Sequence, residues 1–474
     1  MTRVALHRSS ATTYSDAWKD EDEYPEKEQL RALSRLLGAD DGNLFTGAVQ
    51  PGQRVVVKPN WVLDRHPRGD DPFAVITHSA VLRAVVDLAY EALEGEGSIT
   101  IADAPQWNCD FEHLLQVNEV ERIADLYERR GFEVRILDLR KVGTRSWGVT
   151  RQEDRIDLPG DPAGYAVVDF GAQSAFAGMP HGDRVYGADY DREETRKHHN
   201  EQTHEYLVSK TVLQADTFVH VPKLKVHKRV GVTLNAKGMV GINGHKNWIA
   251  HYRVGPPSAG GDEYPDEMAA GSRARARMSR AAIDHLLAPG SRTREAALVA
   301  LRRVYRTLKP ILGPLAYTER DDELPDGGNW HGNDTAWRMT ADLARVILFA
   351  DDTGRLHATP QRTFFSVVDG IVAGEDEGPL AASPKPCGVL AGGDNLLAVD
   401  LACTRLMGFD WRKVRSLAWL LESSPHDMGV DAPEGIELRS NVAAWEALLR
   451  DVGAEDLGFR PHAQWVGHVE LDRR

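Results

Sequence analysis

The stretch RVVVKPNW, residues 54–61, contains three consecutive valines, the pattern of a strand buried on both faces of a sheet. After it, THSAVLRAVVDLAYEAL (77–93) has apolar residues at helical spacing. SITIADAP (98–105) predicts a second strand, VERIADLYERRG (120–131) a second helix, and FEVRILDL (132–139) a third strand. Strands that alternate with helices form βαβ units, so the sequence predicts an α/β fold with a largely parallel, doubly wound sheet.

Polar residues follow the first two predicted strands. Lys58 and Asn60 come at the end of the first strand, and Asp103 at the end of the second. Open α/β sheets bind ligands beyond the carboxyl ends of their strands. We therefore predict that Lys58 and Asn60 bind substrate, while a role in a turn remains the alternative for each of these residues.

A basic stretch, residues 221–252, has no carboxylate and lies within a longer interval, 217–261, that also lacks Asp and Glu. The formal net charge of the chain is -14, so a concentrated positive patch favours an anion site. Its nine basic or titratable residues are Lys223, Lys225, His227, Lys228, Arg229, Lys237, His245, Lys246 and His251.

The basic stretch follows another predicted buried strand, TFVHV (217–221), just as the Lys58 loop follows the first strand. Extended chain would place Lys223, Lys225 and His227 on one side of the backbone. Glycines further along allow close approach to a ligand, although their spacing matches neither the phosphate-loop nor the dinucleotide motif. We predict that four lysines hold the anion and that three histidines are catalytic proton carriers. They are Lys223, Lys225, Lys237, Lys246, His227, His245 and His251.

A metal site is the alternative for the same histidines. Three His ligands with one open position form a known catalytic zinc geometry, so a divalent metal on His227, His245 and His251 remains possible by sequence. The surrounding ammonium groups would repel a cation, which favours anion recognition over metal binding.

Further polar residues lie in the last third of the chain. His331 and Asn333 precede a predicted helix and are expected to bind substrate, with Asp334 as the helix cap. Asp369 and Glu375 lie at a strand end and in an acidic loop, where they would serve as catalytic bases. Asp400, within an apolar helix, requires a partner, and we expect a lysine of the basic stretch.

Composition excludes several classes of protein. The pI near 5.7 argues against nucleic-acid binding, and the absence of a long apolar run argues against a membrane protein and favours a cytoplasmic one. Cys109, Cys387 and Cys403 are too far apart for an iron-sulfur cluster, and we expect them to be buried. The histidines of the charged run 191–205 are expected to be exposed: His198, His199 and His204.

Several runs resemble the family called domain of unknown function 362, over about residues 50–410. They are VVVKPNW, the basic stretch with its KxKxH and GHK segments, WHGNDTAWRMTADLARV, and VVDGIVAGEDEGPL with GVLAGGDNLLAVDLACTRLMG. Some members carry iron-sulfur modules, but this chain lacks the closely spaced cysteines of such modules. The Lys-x-Lys-x-His turn is also similar to the lactate-racemase-like family. That similarity implies two α/β domains around a cleft and proton or hydride transfer at a small hydroxy acid, and does not extend to the nickel cofactor.

Six segments follow from these patterns. They are an N-terminal extension (1–50), a first α/β lobe (51–140), a small β-rich insertion (141–205), the basic site segment (206–266), a helical segment (267–350) and a C-terminal α/β lobe (351–474). We predict two lobes around a cleft and an enzyme that acts on a small anionic metabolite, a carboxylate or phosphate ester. The resemblance suggests a racemase or isomerase. A metal-dependent enzyme and a non-catalytic anion- or metal-binding protein remain alternatives.

Overall fold

The computed structural model describes residues 2–19, 22–144, 155–179, 184–187, 192–274, 276–277 and 327–472. Residues 278–326, the larger part of the predicted helical segment, lie outside the described residues. So do parts of the predicted β-rich insertion.

The strands lie, in chain order, at β1 (Arg3–Arg8), β2 (Arg54–Pro59), β3 (Ser98–Asp103), β4 (Val134–Asp138), β5 (Val142–Thr144), β6 (Arg155–Asp157), β7 (Tyr165–Asp169), β8 (Val185–Tyr186), β9 (Glu205–Ser209), β10 (Thr217–Val221), β11 (Lys223–His227), β12 (Gly231–Thr233), β13 (Tyr252–Arg253), β14 (Thr363–Glu377), β15 (Ala381–Gly393) and β16 (Glu437–Ser440). The helices are α1 (Pro25–Leu37), α2 (Ser79–Ala92), α3 (Phe111–Asn118), α4 (Glu121–Arg129), α5 (Arg192–His198), α6 (Lys210–Leu213), α7 (Asn235–Gly238), α8 (Ala336–Phe349), α9 (Leu396–Leu406) and α10 (Arg415–Glu422).

One ten-stranded sheet forms the centre of the protein, in the order β16-β1-β15-β14-β10-β2-β3-β4, with β11 and β12 attached to β14. The strands β14, β10, β2, β3 and β4 are parallel, whereas β15 runs antiparallel to both of its neighbours. The structure confirms the predicted α/β fold with a largely parallel sheet.

Helices cover both faces of the sheet. Apolar side chains of α1 to α4 pack on one face and those of α7 to α10 on the other. Strand β2 shows how the sequence produces this arrangement. Val55 and Val57 belong to the core on the side of α1 to α4, and Val56 belongs to the core on the side of α7 to α10. The run of three valines is therefore buried on both sides, as its pattern predicts.

The sheet joins strands from four of the predicted segments, since β2, β3 and β4 come from the first α/β lobe. Strand β1, within the N-terminal extension, pairs with β15 and β16 of the C-terminal segment, and β14 pairs with β10 of the basic segment. The segment boundaries themselves remain predictions. Within the described residues, no helix is both long enough and apolar enough to cross a membrane. All three cysteines are buried and free, as expected.

The prediction that the histidines at 198–204 are exposed is wrong. His199 and His204 are 1% and 4% exposed, because the chain turns back between them and joins them in an antiparallel bridge. His199 Nε2 lies 2.9 Å from the carbonyl oxygen of Trp248, and burial lowers the pKa of His199 to about 3. His198 is half-buried and stacks on the Trp248 ring.

Asp400 joins α9 to α7. The prediction that its partner is a lysine is wrong. Its carboxylate accepts hydrogen bonds from Asn235 N (2.8 Å), Asn235 Nδ2 (2.9 Å) and Ala236 N (2.8 Å). Asn235 and Ala236 are the first two residues of α7, so Asp400 supplies acceptors to the free N–H groups of that helix. Burial raises the pKa of Asp400 to about 7, against the lowering effect of these bonds.

Replacement of Asp400 by alanine is expected to lower the free energy of unfolding by about 1–3 kcal/mol, because buried donors lose their acceptor. Urea unfolding at about pH 8, where the carboxyl group is mostly ionised, measures the loss. Asp394→Ala is the matched control: Asp394 is exposed just before the same helix, and its loss should change stability by less than about 0.5 kcal/mol. Equal losses in the two variants would contradict the capping role.

Candidate functional site

The basic stretch begins where β10 ends. Strand β11 follows β10 after Pro222 and pairs with β14 and β12. In the parallel pair of β10 and β2, His220 lies opposite Lys58, so the Lys58 loop and the basic stretch leave the sheet at the same carboxyl edge. The structure thus brings together the two loops that the sequence places at strand ends.

Lys58 is paired with Asp103 across this edge. The two side chains are 1% and 2% exposed, and Lys58 Nζ lies 2.8 Å from Asp103 Oδ1. Asp103 also accepts hydrogen bonds from Trp61 N (2.7 Å) and Ala104 N (2.9 Å). Gly241 packs directly on the pair, because a Cβ atom there would collide with Asp103 Oδ1 and Lys58 Nζ. Lys58 is therefore paired with a carboxylate, and its predicted role in substrate binding remains a prediction.

Lys225 and Asn60 meet at one backbone carbonyl. Lys225 Nζ donates to Val75 O (2.6 Å) and Pro379 O (3.0 Å), and Asn60 Nδ2 donates to Val75 O (2.8 Å). Burial holds the pKa of Lys225 well below its usual range, and the positive charges of Lys237 and Lys223 lower it further. Carbonyl oxygens position this ammonium group without cancelling its charge.

Lys246 and Lys237 complete the group of lysines. Lys246 Nζ donates to Ala104 O at 2.7 Å. Lys237, half-buried on α7, has no hydrogen-bond or ion-pair partner among the described residues. Loss of hydrating water lowers the pKa of Lys237 to about 7, and the charges of Arg229, Lys246 and Lys58 act in the same direction. Burial also lowers the pKa of Lys246 to about 7, although Asp103 opposes the change.

His227 and His251 stand among these cations as neutral rings. Burial holds both pKa values well below the usual range, and the charges of Lys237 and Arg229 lower them further. His227 Nδ1 accepts a hydrogen bond from Arg229 N (3.0 Å), so its proton is on Nε2. His251 Nδ1 lies 3.1 Å from Ile249 O, a pure acceptor, so its Nε2 is unprotonated. The two rings thus present a donor and an acceptor.

The three histidines do not form the alternative metal site. His245 is half-buried and its Nδ1 accepts a hydrogen bond from Asn247 N (3.3 Å). Across the described ranges, no group of three or more His, Cys, Asp or Glu side chains is arranged to hold a metal ion.

Lys223 and Asp369 form a second ion pair. Both are fully buried, with Lys223 Nζ 2.9 Å from Asp369 Oδ2. Tyr14 OH lies 2.5 Å from Lys223 Nζ and donates to Asp369 Oδ1 at 2.8 Å. The Tyr14 ring stacks on His78, whose pKa is lowered to about 3 by burial and by the charge of Lys223. Because Lys223 and Asp369 neutralise each other, this pairing does not favour Asp369 as the base that serves the histidines.

Glu375 is engaged elsewhere. Its carboxylate contacts Lys385 Nζ at 3.1 Å and Arg460 Nη2 at 2.7 Å, and also accepts a hydrogen bond from Arg460 N at 3.0 Å. The structure therefore does not bring Glu375 into contact with the histidines of the basic stretch.

Asn333 contacts the backbone of His251, whereas His331 contacts His468 and Gln464. Asn333 Oδ1 accepts from Thr335 N and Ala336 N at the start of α8, and Asn333 Nδ2 donates to His251 O at 3.0 Å. Asn333 thus takes the capping role predicted for Asp334. Asp334 instead accepts from Arg253, Arg338 and Trp337 side chains. His331 stacks on His468, and its Nδ1 lies 3.1 Å from Gln464 O.

Sequence reasoning named Arg229 among the basic residues without assigning it a role, and it missed Tyr14. Arg229 lies inside the acid-free interval, and its charge acts on His227, Lys237 and His251. Tyr14 could not have been found from sequence, since nothing in the N-terminal segment indicates contact with residues more than 200 positions away.

We compared the chain with known proteins. None of the curated proteins compared matches it. Among solved structures, a protein from Thermotoga maritima determined by the Northeast Structural Genomics Consortium is 13% identical, with a TM-score of 0.23. The match covers 46% of this chain and 38% of that chain, and a score this low does not establish a shared fold.

A family model, by contrast, matches residues 55–152 and 156–405. These ranges include β2, β3, the whole basic stretch and α9, and they exceed half of the chain. The chain therefore belongs to the family described as Domain of unknown function (DUF362).

Proposed function

We propose that the protein is an enzyme that binds a small anionic metabolite, a carboxylate or phosphate ester, among Lys225, Lys237 and Lys246. His251 would take or return a proton on the bound molecule. One observation carries the proposal: within the described part of the chain, the Lys237 ammonium group has no partner although other cations surround it. A bound anion would supply the missing counter-charge.

The lysines favour a ligand over a purely structural role. Two lysines at this edge of the sheet are paired with carboxylates, Lys58 with Asp103 and Lys223 with Asp369. Lys225 and Lys246 instead bind backbone carbonyls. Their positions are fixed although no carboxylate pairs with them, which is the arrangement that an anion site requires.

The histidines support proton transfer. A general base must be unprotonated at the operating pH, and its free nitrogen must be held in position. His251 meets both conditions, because the Nδ1–H bond to Ile249 O leaves Nε2 bare. His227, with the opposite tautomer, would act as a hydrogen-bond donor to the same ligand. The resemblance to lactate-racemase-like proteins suggests abstraction of a proton from the carbon of a small hydroxy acid.

Sulfate, the simplest dianion, is expected to raise the melting temperature of the wild-type protein by several degrees at concentrations above its Kd. Lys237→Met should abolish most of this increase, because it removes the unpartnered cation. Lys197→Met is the control, since the Lys197 side chain is 67% exposed on α5 and lies outside the basic stretch. Thermal-shift titration measures the effect. An equal sulfate response in all three proteins would place the anion elsewhere.

The affinity for sulfate is expected to fall as the pH rises through about 7. The pKa of Lys237 and of Lys246 is about 7 in the free protein, so above this pH binding must first return protons to them. Each lysine should weaken binding by up to about tenfold per pH unit. Sulfate keeps its charge over this range. Calorimetry in buffers of different ionisation enthalpy measures the proton uptake, and an affinity that is constant from about pH 6 to about pH 9 would contradict the assignment.

His251→Gln is expected to remove catalysis and to spare binding. With 2-hydroxy carboxylates in deuterated water, wild-type protein should exchange the α-proton, seen as loss of its NMR signal. The variant should slow exchange by about 100-fold or more while its sulfate response persists. His331→Gln, outside the cluster, is the control. If no hydroxy acid exchanges with wild-type protein although sulfate binds, the non-catalytic binding protein becomes the better description.

A further inference from the structure

The number and anchoring of the buried ammonium groups define the class of ligand more closely. We infer that the site prefers an anion with at least two negative charges on several oxygens, such as a phosphate monoester or a dicarboxylate, over a simple monoanion. This inference rests on the proposed function, because it assigns the charge of the same ligand.

Unused donors provide the first argument. Each lysine ammonium group has three N–H donors. Lys225 uses two of them on Val75 O and Pro379 O, and Lys246 uses one on Ala104 O. Lys237 uses none with any residue that the structure describes. Several N–H groups therefore remain for a ligand, more than the two oxygens of one carboxylate group accept in good geometry.

Charge provides the second argument. Among the residues that the structure describes, two carboxylates lie close enough to act on these lysines, Asp103 and Asp138. Asp103 is taken by Lys58 at 2.8 Å, and Asp138 by Arg140 at 2.6 Å. Neither is left to balance Lys225, Lys237 and Lys246. A monoanion would leave the buried cluster with uncompensated positive charge, whereas a dianion allows two of the lysines to stay protonated.

The histidines do not supply the missing negative charge. The His251 ring is neutral and 7% exposed, and it is hydrogen-bonded to Ile249 O, so it cannot balance a cation. His227, 5% exposed, is neutral as well. The negative charge must come from the ligand.

Sulfate and methyl sulfate test the inference directly, because they share a tetrahedral oxyanion group and differ by one charge and one methyl group. At about pH 7 and constant ionic strength, isothermal titration calorimetry with wild-type protein should give a Kd for sulfate at least about tenfold lower than for methyl sulfate. Lys246→Met should reduce this ratio towards one, and Lys197→Met should leave it unchanged.

The possible outcomes separate the inference from the proposed function. If methyl sulfate binds as tightly as sulfate, and Lys237→Met weakens both, the site exists but accepts monoanions, and the inference is wrong. If neither ion binds at millimolar concentration, the proposed anion site itself is wrong. The comparison of the two ions uses the wild-type protein, so a variant that fails to fold does not affect it.

Discussion

The Lys58–Asp103 ion pair is the interaction on which the carboxyl edge of the sheet depends. Burial of two charges is costly unless their remaining donors and acceptors are satisfied. Here Asp103 also binds the N–H groups of Trp61 and Ala104, which fixes the loops after β2 and β3. Gly241 then lies directly on the pair and brings the basic stretch down onto it. The position of Lys246 follows, because its anchor is the carbonyl of Ala104.

The lysines of the basic stretch above this pair lower the stability of the folded protein, a cost that the proposed anion site would explain. A lysine whose pKa falls from 10.5 to about 7 on folding destabilises the protein at neutral pH, because the folded state disfavours the protonated form. The cost decreases as the pH rises from about 7 towards the unfolded value. For Lys223 the carboxylate of Asp369 opposes this effect, although burial still lowers the pKa of Lys223. Strain of this kind is expected at functional sites and not in a packing core.

Short-range patterns predicted much of this fold. The valines of β2 and the alternating strands and helices as far as β4 appear where the sequence analysis expects them, since each depends on local burial. Strand β1 was not predicted, because its partners β15 and β16 lie hundreds of residues away. The exchange of roles between Asn333 and Asp334 has a similar cause. Both residues can cap a helix, and Asp334 is instead bound by Arg338 four residues further on and by Arg253, whose position depends on the tertiary fold.

The sequence predicted the concentration of basic residues in the candidate site, but it did not predict which side chains pair with one another. The acid-free interval located the lysines and histidines, but pairing depends on which side chains the fold brings into contact. Thus Lys223 and Lys225 have the same sequence context, yet one meets Asp369 and the other two carbonyls. The partner of Asp400 could not be predicted for the same reason, since the N–H groups at a helix terminus can replace a lysine as the donor.

The proposed function and the low pKa of His251 are physically linked. In the free protein, burial, and with it the charges of Arg229 and Lys237, lowers the pKa of His251, which keeps the ring neutral but also makes it a weak base. An anion bound among the lysines would offset their charges and raise the pKa of His251. The ligand would then increase the basicity of the group that acts on it. Under the proposed function, His251 would stay unprotonated while the site is empty and would become an effective base only when substrate is bound, so the lysines would serve catalysis as well as binding.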